Sequence, residues 1–484
     1  QHDVPGGFTH AFTRKGYTWD VGVHAVGEVT EHSMTGRLLR KLTDDRLKWT
    51  SLGSVYEHFH FPDGFRIDFP DKPEAYRASL IEAFPDEVQA IDAYLAKVHE
   101  VSSAMRGYYQ ARALPKGLAA VGSFLMARRA DKAFELNTGE FIESLTDNPK
   151  LRTIFVAQWG YYGSPPSRSS FAIQALVVKH FKHGGYYPVG GSERIAVELL
   201  RTVSEQDGWT RVCADVDEII IERNKVVGVR LEDGEVIQAK RVISAVGAVS
   251  TCKRLLPQAV ADQKWARGIR GLPPSAAHVC LYIGFKGDIA AAGASAANQW
   301  FCETWDYEMQ AWPIAQGQPI GRAPVLYCSF PSLKDPTHEA GDEVRHTGEV
   351  VTFVPWSAFT KWQDTEWRKR GDDYEAFKQA LTDAMLEQYL QHMPQLRDLV
   401  DYVELSTPLS TDTFCRPTQG SIYGIEATPE RFRNPYLRPA TPVKGLFLAG
   451  SEIATVGVIG AMMGGVMSVM ASEPRGAMKL LARK

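Results

Sequence analysis

GLFLAGSEIATVGVIGAMMGGVMSVMA, residues 445 to 471, contains a single charged side chain, Glu452. Two structures suit a stretch of this kind: a helix that crosses a membrane, or a buried strand that turns into a buried helix. The length passes the threshold of roughly 18 apolar residues for a span, and Gly460 to Gly464 spells GxxxG. Internal punctuation favours the second structure. Gly445 to Ala449 is an apolar run of strand length, Gly450-Ser451-Glu452 interrupts it, and periodic small residues resume only at Gly457. Strand, turn and helix are therefore predicted in that order.

Such a unit sets one carboxylate beside a glycine-rich helix start. The first N–H groups of a helix have no partners inside it and carry partial positive charge, so they suit an anionic or electron-rich ligand. Gly457, Gly460 and Ala461 would let that ligand approach the backbone. Taken alone, the segment leaves an ordinary buried helix and a cofactor site both open.

Other parts of the chain narrow the choice. It opens QHDVPGGFTHAFTRKGYTWDVGVHAVG, with His2-Asp3-x-Pro5-Gly6-Gly7 followed by Asp20-x-Gly22-x-His24. Further on come GYYPVGGSERI (185 to 195), ISAVGA (243 to 248) and LAGSE near the C-terminal end. As an ordered set these motifs resemble the phytoene desaturase and carotenoid isomerase superfamily of FAD-dependent oxidoreductases, most closely the all-trans-retinol 13,14-reductases, or retinol saturases. The likeness runs from the first residue to about Ala471.

The resemblance implies an α/β fold, a two-dinucleotide-binding-domain flavoprotein. Its Rossmann-like FAD domain would be discontinuous, over residues 1–55, 185–254 and 440–484. An α+β substrate domain of helices and sheet, residues 56–184 and 255–439, would be interleaved with it. A dinucleotide fold also needs a GxGxxG turn and an acidic residue that binds the ribose. The chain shows neither motif ahead of Gln1, where the family has them. The expectation is thus an N-terminally truncated flavoprotein that binds FAD poorly as it stands.

The same resemblance assigns residues. Gly6, Gly7, Ala245, Gly247 and Gly450 would lie along the cofactor, and Val216 would give backbone contacts to adenine. Glu452 would replace the family's usual Asp in accepting a hydrogen bond from the flavin ribityl chain, although its extra methylene alters the reach. Ile459 and Gly460 would open the helix aimed at the pyrimidine edge, and Gly420, Ser421, Tyr423 and Gly424 would border the flavin face. His24, Tyr187 and Tyr423 are the candidate proton donors or acceptors, because saturating an alkene requires a proton to match the hydride.

Composition fits a core-forming globular protein: 484 residues, 44% hydrophobic, net charge −3. That charge supplies no basic field for nucleic acid. Six scattered cysteines make no CxxC, and thirteen histidines make no HExxH, so no metal site is expected and the thiols suit a reducing compartment. Tyr56 to Asp71 alternates around Asp63-Gly64 as a hairpin, and residues 72 to 182 are mostly helical, broken at Ser164-Pro165-Pro166-Ser167. Within them, Leu114 to Phe134 mixes apolar and basic residues, as a core helix or a peripheral membrane contact would. Residues 195 to 203 are predicted helical with Ser192 as N-cap, and residues 212 to 248 as a β-meander turning at Asn224-Lys225 and Asp233-Gly234. Strands at His278 to Phe285, Val325 to Phe330 and Val350 to Val354 and a helix from Asp372 to His392 follow.

The expected activity is flavin-dependent hydride chemistry on carbon–carbon double bonds of a carotenoid- or retinoid-like polyene, with FAD as cofactor and NAD(P)H as a candidate electron donor. The expected partner is an apolar small molecule, and the expected location is cytoplasmic with peripheral membrane contact. An amine-oxidising flavoprotein and a non-catalytic scaffold are the alternatives.

Overall fold

The computed structural model describes residues 1–113, 134–308 and 311–482. The decisive stretch divides as its punctuation predicts. Leu446–Leu448 is a strand, Gly450 takes φ 90°, and Gly457–Ser472 is a helix. The strand pairs in parallel with Val242–Ser244, so both apolar strands meet in one small sheet. The helix returns so tightly over the strand end that Gly464 faces the Gly450 backbone with no room for a Cβ. Among the described residues no helix is long and apolar enough to cross a membrane.

Three antiparallel strands, Val216–Glu222, Lys225–Leu231 and Val236–Gln238, form the meander. Its first turn lies one residue earlier than predicted. Arg223 and Asn224 hold φ 47° and 60°, the two left-handed residues that a two-residue hairpin matched to strand twist requires. The Glu193–Ser204 helix is present, but Ser192 is not its cap: it has helical φ and ψ, and its N–H donates to Asp20 Oδ1 at 3.0 Å.

A seven-stranded mixed sheet forms the other half. Its order is Val400–Ser406, Ala277–Lys286, Arg345–Val354, Val325–Ser329, Asn298–Cys302, Val55–His60 and Arg66–Pro70. Every pairing is antiparallel except Asn298–Cys302 with Val55–His60. Side chains alternate between two cores. Trp300, Tyr327 and Phe353 face the helical layer of Val88–Ala113 and Phe171–His180. Phe301, Leu326 and Val350 face the other side, against Tyr374, Phe377, Leu381 and Met385 of the Asp372–His392 helix. Both faces being covered, Ala277–Lys286 is buried from Ala277 to Phe285. The hairpin at Asp63-Gly64 and the helix from Asp372 fall where the sequence places them. The predicted amphipathic segment from Leu114 lies outside the described residues up to position 133.

Candidate functional site

A cavity of about 770 Å3 runs between the small parallel sheet and the seven-stranded one. One end is backbone-rich: Gly6, Gly7, Ala245, Gly247, Gly450 and Gly460 border it. Gly6, Gly7, Gly247 and Gly450 all have positive φ, so the main chain itself forms the wall. The Gly457–Ser472 helix begins at this wall with no side-chain cap, leaving its first N–H groups to the cavity. The other end is apolar and aromatic, with Leu176, Phe181, Trp300, Tyr327 and Phe353 on its surface.

Glu452 lies at the junction and is buried. Its Oε2 accepts N–H bonds from Ala248 at 2.5 Å and Val249 at 3.2 Å. Burial pushes its pKa up, while those two amides and the Arg431 guanidinium oppose the rise. Arg431 is itself buried and donates to the Ile425 carbonyl at 2.6 Å and the Ser451 carbonyl at 2.9 Å. The extra methylene of Glu452 is accommodated by two neighbours without side chains: a Cβ at Gly424 or Gly247 would abut the carboxylate.

The remaining sequence-derived candidates separate. Ile459 borders the cavity beside Gly460, whereas Val216 does not reach it and pairs with Leu231 in the meander. Ser421, Tyr423 and Gly424 border it and Gly420 does not. The Tyr423 hydroxyl donates to the Gly160 carbonyl at 3.1 Å, and burial raises its pKa. Tyr187 lies off the cavity, its hydroxyl committed to the Asp20 carboxylate. Of the three acid–base candidates, His24 is the one that borders the cavity with a ring free of any hydrogen-bonded partner.

Behind His24 is a cluster the sequence reasoning did not assemble. Its Nδ1 is 2.8 Å from Glu349 Oε2. Despite that distance, neither the ring nitrogen nor either Glu349 oxygen has an aligned hydrogen-bond partner, so the pair is close but unbonded while Glu349 is a carboxylate, which can only accept. The Lys334 ammonium donates to the His24 carbonyl and to Ser329 Oγ, each at 2.7 Å, and to Asn298 Oδ1 at 2.5 Å. Asn298 in turn donates to Glu57 at 3.1 Å, and Glu57 also accepts from the Tyr161 hydroxyl and the Trp300 indole. Burial raises Asp20 to about 6, Glu57 to about 7 and Glu349 to about 8, and lowers Lys334 to about 8. Burial together with Lys334 lowers His24 to about 3. Glu349 left one signal in the sequence, a lone acid within the apolar run GEVVTFV.

These shifts predict an unusual pH dependence of stability. A carboxyl whose folded pKa is raised gives stability that is complete below its ordinary value of 4.5 and is lost as pH rises to its folded value, here about 8 for Glu349. Lys334 acts in reverse, adding stability as pH rises from about 8 toward 10.5. Glu349→Gln is therefore expected to raise the melting temperature by a few degrees near pH 8, with little change near ~5. Thermal melts at the two pH values check this, and a uniform offset at both would refute it.

Whether these residues suit a flavin is testable on the protein's own atoms. Ser421 Oγ and Thr352 Oγ1 border the cavity, are buried, and have no hydrogen-bond partner. Together with the uncapped helix start and the glycine wall, they offer what a planar, polar-edged ring system requires: donors along one edge and close backbone along its length. The flavin containing amine oxidoreductase family matches residues 1–470. An all-trans-retinol 13,14-reductase of Danio rerio is 27% identical over 96% of this chain and 79% of its own length. A chloroplastic prolycopene isomerase of Daucus carota is 22% identical over 96% of this chain and 74% of its own. Among solved structures, putrescine oxidase bound to putrescine superposes with a TM-score of 0.60 at 13% identity, over 100% of this chain and 92% of that one. A match across nearly the whole chain, on a fold whose cavity has the donors a flavin needs, shows that the protein belongs to the flavin containing amine oxidoreductase family.

Proposed function

We propose that the chain is a FAD-dependent oxidoreductase acting on carbon–carbon double bonds of a carotenoid- or retinoid-like polyene. The observation that carries this reading is the continuity of the cavity, whose glycine-lined end opens into a chamber walled by Leu176, Phe181, Trp300 and Phe353. A rod-shaped apolar substrate fits such a chamber, and burying it there is favoured by roughly 25 cal/mol per Å2 of apolar surface. When bound, the flavin supplies hydride transfer. The protein's share is to orient: the Gly457–Ser472 helix start, Ser421 and Thr352 would hold the ring, and the apolar chamber would hold the polyene against it while excluding water.

For net saturation the cofactor must be reloaded by an external two-electron donor, and NAD(P)H is our candidate. Because polyenes partition into lipid, we place the chain in peripheral contact with a membrane surface. Amine oxidation is the second reading, favoured by the putrescine oxidase superposition. The aromatic groups here argue the other way. Trp300 and Tyr327 have centroids 4.5 Å apart and Tyr161 lies 5.4 Å from Trp300, so these rings pack on each other and leave no slot for a cation between facing rings.

The test is to supply all-trans-retinol anaerobically to the purified flavin-loaded protein reduced with dithionite, and putrescine in air to the oxidised protein, and to follow the polyene absorption and peroxide release. A retinol band displaced to shorter wavelength is expected, since saturation shortens the conjugated chain. Peroxide from putrescine with retinol unchanged would replace the polyene reading by the amine one.

A further inference from the structure

The buried cluster behind the cavity holds three carboxyls, Asp20, Glu57 and Glu349, against one buried ammonium, Lys334. Were all three ionised, two negative charges would lie uncompensated in a low-dielectric interior, so the cluster retains a proton at neutral pH. Hydrogen bonding tells which carboxyl keeps it. Asp20 accepts from the Tyr187 hydroxyl and the Ser192 N–H, and Glu57 accepts from Tyr161, Asn298 and Trp300. Glu349 has no aligned side-chain donor, and only the Asp20 N–H approaches its carboxyl, the fewest donors of the three, which makes it the cheapest to leave neutral. The titratable groups that face it from the neighbouring segments are Asp20, His24, Tyr187 and Lys334. Cys280 and Tyr282 face it from one flanking strand, and Tyr327 from the other.

A neutral Glu349 needs an acceptor, and the nearest is His24 Nδ1 at 2.8 Å. Once Nδ1 accepts, the ring proton resides on Nε2, the other nitrogen of a ring that borders the cavity. We propose that His24 and Glu349 are the proton-donating arm of this site, Nε2 giving its proton to a substrate carbon as Nδ1 takes one from Glu349. This rests on the polyene reading. In the step, the substrate π bond opens, one carbon accepts the hydride that the reduced flavin supplies, and its neighbour forms a C–H bond with the His24 proton. The ring stays neutral throughout and ends as the other tautomer, and Glu349 ends as a carboxylate beside Lys334. One solvent proton then restores the starting state. His24 is the catalytic residue; Glu349 acts through it as proton source.

Infrared spectroscopy of the full chain tests the arm without turnover. Wild type is expected to show a carboxylic-acid carbonyl component that shifts in D2O, fades as pH rises through about 8, and is missing from Glu349→Gln, apart from the Glu57 component that fades through about 7 in both proteins. A wild type without that band, or a band that survives Glu349→Gln, overturns the inference, and the wild-type spectrum decides even if the variant does not fold. Turnover of all-trans-retinol by the reduced protein in D2O is the second arm. Deuterium should enter the product, and Glu349→Gln and His24→Gln should each lose rate by about 100-fold with KM little changed and the alkaline fall in rate abolished. An unchanged alkaline fall in both variants overturns the delivery step. If the band is present but wild type leaves retinol untouched, the polyene reading fails and delivery with it, while the proton-holding cluster stands.

Discussion

Gly464→Ala is expected to destabilise the protein by about 3 kcal/mol and to abolish flavin retention. Its Cβ would overlap the N, C and O of Gly450, all of them backbone, so no rotamer change relieves the clash. The Gly457–Ser472 helix would have to lift from the end of Leu446–Leu448, and the uncapped helix start at the cavity would move with it. Gly465, one residue on, has nothing near its hypothetical Cβ, and Gly465→Ala is expected to stabilise by about 0.5–1 kcal/mol through helix propensity alone. Thermal melts of the two variants, with flavin absorbance after gel filtration for Gly464→Ala, check the contrast. If both alanines behave alike, the backbone contact is not what fixes the helix.

Glu452→Ala should cost at least as much, at about 3–5 kcal/mol. It removes the acceptor of the Ala248 and Val249 amides and the counter-charge of a buried Arg431. Glu452→Gln keeps an oxygen for the amides while losing the charge, and is expected to cost about half as much. Glu452→Asp separates reach from charge: shortened by one methylene, it should lose the Ala248 and Val249 bonds and fall between the other two. Denaturant melts of the three variants give the order, and an Asp variant as stable as wild type would show that the space left by Gly424 and Gly247 is not required.

Several parts of the fold were legible because they depend on neighbours in the chain. Gly450-Ser451-Glu452 breaks an apolar run wherever it occurs, and the run from Asp372 to His392 forms its helix with the bounds its spacing gives. The Asp63-Gly64 turn needs only two residues that tolerate positive φ. By contrast, Asn298–Cys302 gave no signal, since a strand buried on both faces has no polar alternation to show. Ser192 stands where a cap should, yet its N–H is drawn to Asp20, 172 positions away. Tyr187 was a plausible acid from its motif, and only the fold shows its hydroxyl turned from the cavity to that same carboxylate.

The sequence by itself determined the α/β class, the strand–turn–helix at residues 445 to 471 and the glycines that let backbone form a wall. These follow from periodicity and from the conformations particular residues allow. Tertiary structure alone decided the chemistry behind the wall. Asp20, Glu57, Lys334 and Glu349 come from four separate elements, and each would be an ordinary charged side chain on a surface. Their proton affinities diverge because packing removes water from all of them at once and provides one cation for three acids. Desolvation is a property of the assembled interior, and no local stretch of sequence encodes it.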